Sequence, residues 1–400
     1  MKKVEQLCGA GIVIDFDKKK SRKQIRTALG KFGEVEDSDG FFKLIVEGNI
    51  IHVLIKNVTY LGHPHPIHKK RIQIPNEWGA YLNLSNTLLC GIYSGIDEDM
   101  FVVFANINFI SHKLNQSSAH VTSNDILQAK LHGASSKFDK NGNLIQVFTE
   151  QRFEYYLKDY SHALPGLSSV EDLFIWQQTF GYEVKSSLLK FCSDFASRIL
   201  GQTWLGILSY NEMVNVKYKN AYQAEWAGFF HEFKFEKYIL ERKRDNYIEM
   251  HGDWISRFDL DLKLRDGDET FFGDIKTHSA GVDLLGNDFD FLDKALSESG
   301  RIWLLIANHT TDKDMHNGGV VLRHWNALKL VAKKGNPASS YSRMKYSVSI
   351  KEYLILEINN YNKKYLGEFN QGKQQSGQAR KVKFKISNRD IDNFVILRLN

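Results

Sequence analysis

Residues 258–278, FDLDLKLRDGDETFFGDIKTH, decide how the chain is read. Their spacing predicts a β-hairpin: alternation from Phe258 to Leu264, a turn around Asp266-Gly267-Asp268, then a second run from Thr270 to Thr277. Strand side chains alternate faces, so Asp259 and Asp261 project together from the first strand, and Asp274, Lys276 and His278 from the second. The turn determines which aspartate meets Asp274. A two-residue turn at Asp266-Gly267 sets Asp259 opposite it, whereas a four-residue loop from Asp266 to Glu269 sets Asp261 there. The polar Arg-Asp-Gly-Asp-Glu segment favours the longer loop and Asp261, with Asp259 kept as a candidate.

Clustered carboxylates suit a hard divalent cation such as Mg²⁺, which keeps several waters and takes oxygens from one or two acidic side chains. A lysine two residues beyond the second carboxylate lies on the same face, where it can hold or deprotonate a water or meet developing charge on a phosphate. The flanking sequence supports a buried setting. Residues 301–307, RIWLLIA, suit a central strand, and carboxylates on buried strands need a compensating cation. Ahead of the hairpin, the segment from Ala221 to Glu241 reads as an amphipathic helix. Tyr222, Trp226, Phe229, Phe233 and Leu240 form one stripe, and Glu225, Glu232 and Glu236 run along its edge.

An acid on one strand followed by Asp274-Ile275-Lys276 on the next resembles the PD-(D/E)XK nucleases. Two details depart from that pattern: no proline precedes either first-strand aspartate, and Asp274 stands where glutamate is more frequent. Neither removes a metal-binding oxygen. The resemblance implies metal held by Asp261 and Asp274 with the Ile275 carbonyl, an attacking water oriented by Lys276, and a helix glutamate, Glu225 or Glu232, reaching the site. It also implies Mg²⁺ as cofactor, with Mn²⁺ able to substitute, and products carrying a 5′-phosphate and a 3′-hydroxyl.

The rest of the chain sets bounds. Four hundred residues with 42% hydrophobic and 25% charged content describe a globular protein with room for more than one core. No apolar run approaches the roughly 20 residues needed to cross a bilayer, and the N-terminus is a poor secretory signal, so a cytoplasmic protein without membrane association is expected. Cys8, Cys90 and Cys192 are too scattered for a disulfide framework or a paired metal motif. A net charge of +6 permits a polyanionic partner.

Residues 1–160 read as a β-rich recognition domain. It contains a basic run, Lys69-Lys70-Arg71, and a polar stretch carrying Ser117, Ser118 and His120, all candidates for DNA contact. Residues 161–400 read as the catalytic domain, ending in a segment where cations alternate with aromatics. Lys373, Gln374, Arg380 and Lys381 are its candidate DNA-contacting residues.

No Walker loop, nucleophile elbow, dinucleotide fingerprint or HEXXH is present. The expected fold class is therefore α/β: a C-terminal mixed-sheet nuclease core of PD-(D/E)XK type flanked by helices, behind a mainly β recognition domain. The expected activity is Mg²⁺-dependent hydrolysis of double-stranded DNA by a type II restriction endonuclease, working as a homodimer on a palindromic site. Two rivals stand beside it: a toxin-type RNA or tRNA nuclease, and a catalytically inactive nucleic-acid-binding protein.

Overall fold

The computed structural model describes residues 2–81, 86–104, 117–139, 144–163, 187–242, 247–372 and 380–400. The chain divides into two compact units, Met1–Lys185 and Ser186–Asn400. The boundary expected at residue 160 falls within a helix, Glu150–Ala163. The Pro-Gly break that suggested it extends beyond the described residues. No helix among the described residues is long and apolar enough to cross a membrane.

The N-terminal unit is built on a seven-stranded sheet. Its order is Ala134–Phe138, Leu144–Thr149, Asp99–Phe104, Thr87–Ser94, Asn49–Asn57, Phe42–Val46 and Glu34–Asp37. All neighbours are antiparallel except Asn49–Asn57 with Thr87–Ser94. The inner strands are apolar on both faces, as a doubly covered sheet demands; Met100 to Phe104 are all buried. A smaller sheet, Ser117–Thr122, Lys69–Ile74 and Thr59–Tyr60, packs on one face of it. Gly91 permits that approach, since a Cβ there would lie 2.4 Å from Val58 Cγ2 and 2.9 Å from Ile72 Cγ2.

The C-terminal unit has a mixed sheet ordered Thr203–Leu205, Lys345–Asn359, Arg301–Lys313, Glu269–Ser279, Leu262–Asp266 and Ile248–Met250, with Val395–Leu399 also paired to Lys345–Asn359. Glu269–Ser279 and Arg301–Lys313 run parallel, and the helix Phe289–Ser299 lies between them in sequence, as a parallel crossover requires. RIWLLIA is the middle of the sheet, and Ile302 to Ala307 are fully buried. One face forms a core of Phe272, Ile302, Leu304, Ile306, Leu354 and Leu356 with Leu292 and Leu296 of the crossover helix. The helix Trp226–Arg242 packs against the Glu269–Ser279 strand.

The hairpin differs from the expectation in two respects. Phe258 and Asp259 do not begin a strand. Trp254–Phe258 forms a short helix that buries Trp254 and Phe258, and Asp259 ends it in a left-handed conformation, φ 55°. The strand proper starts at Leu262. The turn is also tighter than the four-residue loop and one residue later than the Asp266-Gly267 alternative: Asp266 pairs with Glu269 across Gly267-Asp268, which keeps the register that sets Asp261 opposite Asp274. Gly267, at φ 61°, supplies the left-handed residue such a turn requires.

Candidate active site

Register fixes the central pair. Leu262 lies opposite Gly273, so the next step outward sets Asp261 opposite Asp274. The first strand begins at Leu262, and just ahead of its ladder Asp261 accepts a hydrogen bond from the Ile275 N–H, Oδ2 at 3.1 Å. Asp274 is 3% exposed, and its Oδ2 is ion-paired with the Lys276 ammonium at 2.5 Å. Lys276 also donates to Asn287 Oδ1 at 2.9 Å, and the Asn287 amide N–H donates to the Asp259 carbonyl. Asp259 thus contributes its main chain to the support of Lys276, and its side chain is not on a strand facing Asp274.

Glu232 reaches the same cluster from the helix. Burial, first, and the Asp274 carboxylate, second, push its pKa up, with Lys219 and Lys276 opposing. Tyr218 Oη donates to its Oε2 at 3.5 Å. Burial together with Asp274 and Glu232 raises Asp261 strongly, and burial followed by Asp274 raises Asp259. For Lys276, burial alone would lower the pKa, but Asp274, Asp261 and Asp259 outweigh it and hold the ammonium above its ordinary value. The cluster is therefore an excess of carboxylates, buried at Asp274 and half-buried at Asp261 and Glu232, about the Lys276 ammonium, a state that protonation or a further cation relieves.

Among the described residues, no three His, Cys, Asp or Glu side chains form a ready-made metal cage. The donor set still fits Mg²⁺, which needs only one or two carboxylates and retains water. Two hard oxygen donors stand opposite one another here, Asp274 buried and Asp261 half-buried, and burial with the neighbouring carboxylate raises the pKa of Asp261, which a divalent cation would relieve.

Glu225 is not part of this cluster. The helix begins at Trp226, and the Glu225 carboxylate accepts from Tyr341 at 2.5 Å and pairs with Arg343 at 3.3 Å and Lys345 at 3.4 Å. Its role as a metal ligand is corrected on that ground. His231, one residue before Glu232, is fully buried between the Lys276 carbonyl and Tyr353 Oη, 3.2 Å from each. A carbonyl only accepts, so Nδ1 carries the proton and Nε2 receives the Tyr353 hydroxyl. Burial, first, and His309 lower its pKa to about 3, although the bond to the Lys276 carbonyl opposes this. Asn287 and His231 were missed by sequence reading, because the partner of each is a main-chain carbonyl distant in sequence.

The DNA-contact candidates divide. Lys70 is 0% exposed and pairs with Asp17 at 3.0 Å, so it cannot meet a ligand in this fold. Lys69 and Arg71 point to the opposite face and are half-buried, beside Ser118 and an exposed His120; Ser117 opens the same strand. Arg380 is exposed, and Lys381 pairs with Asp290 at 3.5 Å. Lys373 and Gln374 lie outside the described residues.

Residues 49–157 match the family described as Methylase-associated X1, over less than half of the chain. No curated protein and no solved structure gives a match. A methylase-associated segment fits a protein of restriction–modification systems.

Proposed function

We propose that the C-terminal unit is a nuclease of PD-(D/E)XK type, and that the chain is a Mg²⁺-dependent type II restriction endonuclease acting on double-stranded DNA. The observation that carries this reading is the pairing of half-buried Asp261 with buried Asp274, with Lys276 two residues on, on the same strand face as Asp274. Asp261, Asp274 and the Ile275 carbonyl are the ligands, and Glu232 completes the acidic wall. Ile275 donates its N–H towards Asp261, and in an extended strand the carbonyl of the same residue faces the same neighbour. The bound Mg²⁺, or Mn²⁺ in its place, supplies Lewis acidity to the scissile phosphate.

Lys276 stays charged at neutral pH, since its carboxylate neighbours hold it up. That suits it to orienting water and countering charge on the phosphate rather than to taking a proton. Asn287 and His231 fix its side chain and main chain respectively. The methylase-associated match supports a restriction setting, in which a palindromic site would call for a homodimer.

Digesting plasmid DNA and total tRNA side by side with Mg²⁺ tests the reading. Plasmid cleavage that Lys276→Ala abolishes is expected. Cleavage of tRNA with intact plasmid would sink the restriction assignment, and undiminished cleavage by Lys276→Ala would sink the site.

A further inference from the structure

The small sheet of the N-terminal unit has a face that its core does not use. Along Lys69–Ile74, Lys70, Ile72 and Ile74 are buried, so Lys69, Arg71 and Gln73 point outward. The register sets His120 and Thr59 on either side of Arg71, and Ser118 opposite Gln73. Ser118 Oγ and His120 Nε2 are 3.1 Å apart. We propose that this face binds duplex DNA, with Arg71 at its centre and Lys69, Gln73, Ser118 and His120 around it.

Three observations carry the proposal. The first is electrostatic: partial burial, then Arg71, Lys69 and His65, push the His120 imidazolium down, which puts these cationic groups within reach of one another. Asp139 acts on His120 in the opposite sense. Among the described residues the Arg71 guanidinium has no hydrogen bond or ion pair, although it is half-buried. A fork of donors held on a strand among like charges is costly unless an anion meets it, and it matches a phosphate or a guanine edge.

The second is the kind of side chain. The outward positions of all three strands carry no Phe, Tyr or Trp; Tyr60 pairs with Lys70 and so faces the other way. Single-stranded nucleic acid is held largely by aromatic stacking, so a face of cations, amide, hydroxyl and imidazole suits base edges and phosphates of a duplex. The third is position: the whole face lies within residues 49–157, the methylase-associated segment. The proposal does not rest on the nuclease reading of the C-terminal unit.

The test is a titration of the full-length chain, in chelator so that cleavage plays no part, against a short labelled duplex of mixed sequence. Single-stranded DNA and double-stranded RNA of the same sequence serve as competitors. Tightest binding to duplex DNA is expected, weakened about tenfold or more by Arg71→Ala. Lys69→Ala should lower the salt dependence by about one phosphate contact. Among the described residues Arg71 makes no hydrogen bond or ion pair, so Arg71→Ala should melt with the wild type. Should it not, Arg71→Lys decides, since it keeps the charge and loses the fork and should still bind more weakly than wild type. No duplex binding by the wild type, binding within about twofold for both Arg71 variants, or equal competition by either other nucleic acid would overturn the proposal.

Discussion

Asn287→Ala separates the support of Lys276 from the chemistry proposed for Lys276. The residue is 6% exposed and its side chain does two things: it accepts from the Lys276 ammonium at 2.9 Å and donates to the Asp259 carbonyl. A neutral hydrogen bond contributes about 0.5–1.5 kcal/mol and one to a charged group about 1.5–3 kcal/mol. The Lys276 side chain is 22% exposed, so water replaces part of the charged bond, and a net loss of about 1–2 kcal/mol in stability is expected. For a unit of this size that lowers the melting temperature by about 2–4 °C per kcal/mol. The effect on rate should be larger than the effect on binding. Without Asn287 the ammonium has Asp274 as its remaining anchor and is drawn onto that carboxylate. Loss of such a supporting partner costs about 10–100-fold in activity. Single-turnover cleavage under saturating protein reads the rate, and DNA binding in chelator should change by less than about threefold. A folded Asn287→Ala chain that cleaves at the wild-type rate would refute the claim that Asn287 positions Lys276.

Other substitutions probe the neighbouring groups. Burial and Asp274 raise the pKa of Asp261, so its contribution is greatest below the ordinary carboxylate range and is lost as pH rises towards its raised value. Asp261→Asn should therefore melt higher than wild type at pH 7–8 without metal, by at least the ~1.4 kcal/mol that one pKa unit represents, and should lose the stabilisation that Mg²⁺ gives the wild type. Lower melting in chelator would contradict it. Glu232→Gln should slow cleavage by about tenfold or more, while Glu225→Gln should leave the rate within about threefold; the reverse order would exchange their roles. His231, held neutral by burial, takes up a proton on unfolding, so stability should fall as pH drops from its ordinary 6.5 towards about 3. His231→Phe should flatten that acid limb in melts taken across the window, and an unchanged slope would show that other groups set it.

The hairpin was legible because alternation and a Gly-containing turn are local, and its register alone brings Asp261 and Asp274 together. Its start was not. Alternation runs unbroken through Phe258-Asp259-Leu260, and only the burial of Trp254 and Phe258 against the sheet turns that segment into a helix with a left-handed exit. The helix glutamates show the limit of periodicity. Stripes at 100° intervals do not reveal that the helix starts at Trp226, nor that burial extends to Phe230, His231, Phe235 and Tyr238 while Leu240 is 70% exposed. Lys70 was readable in principle: it shares a face with Ile72 and Ile74, and a cation on an apolar face implies a buried partner, here Asp17. The Asn287 contact was beyond reach, since its acceptor is a carbonyl 28 residues earlier.

The tethering of Lys276 has a geometric consequence. An ammonium group carries three N–H bonds in a tetrahedral arrangement. Asp274 takes one direction and Asn287 a second. The third is thereby specified by the other two, so this flexible four-carbon side chain addresses a single point in space. An oxygen that meets this ammonium does so at a point the protein has marked in advance.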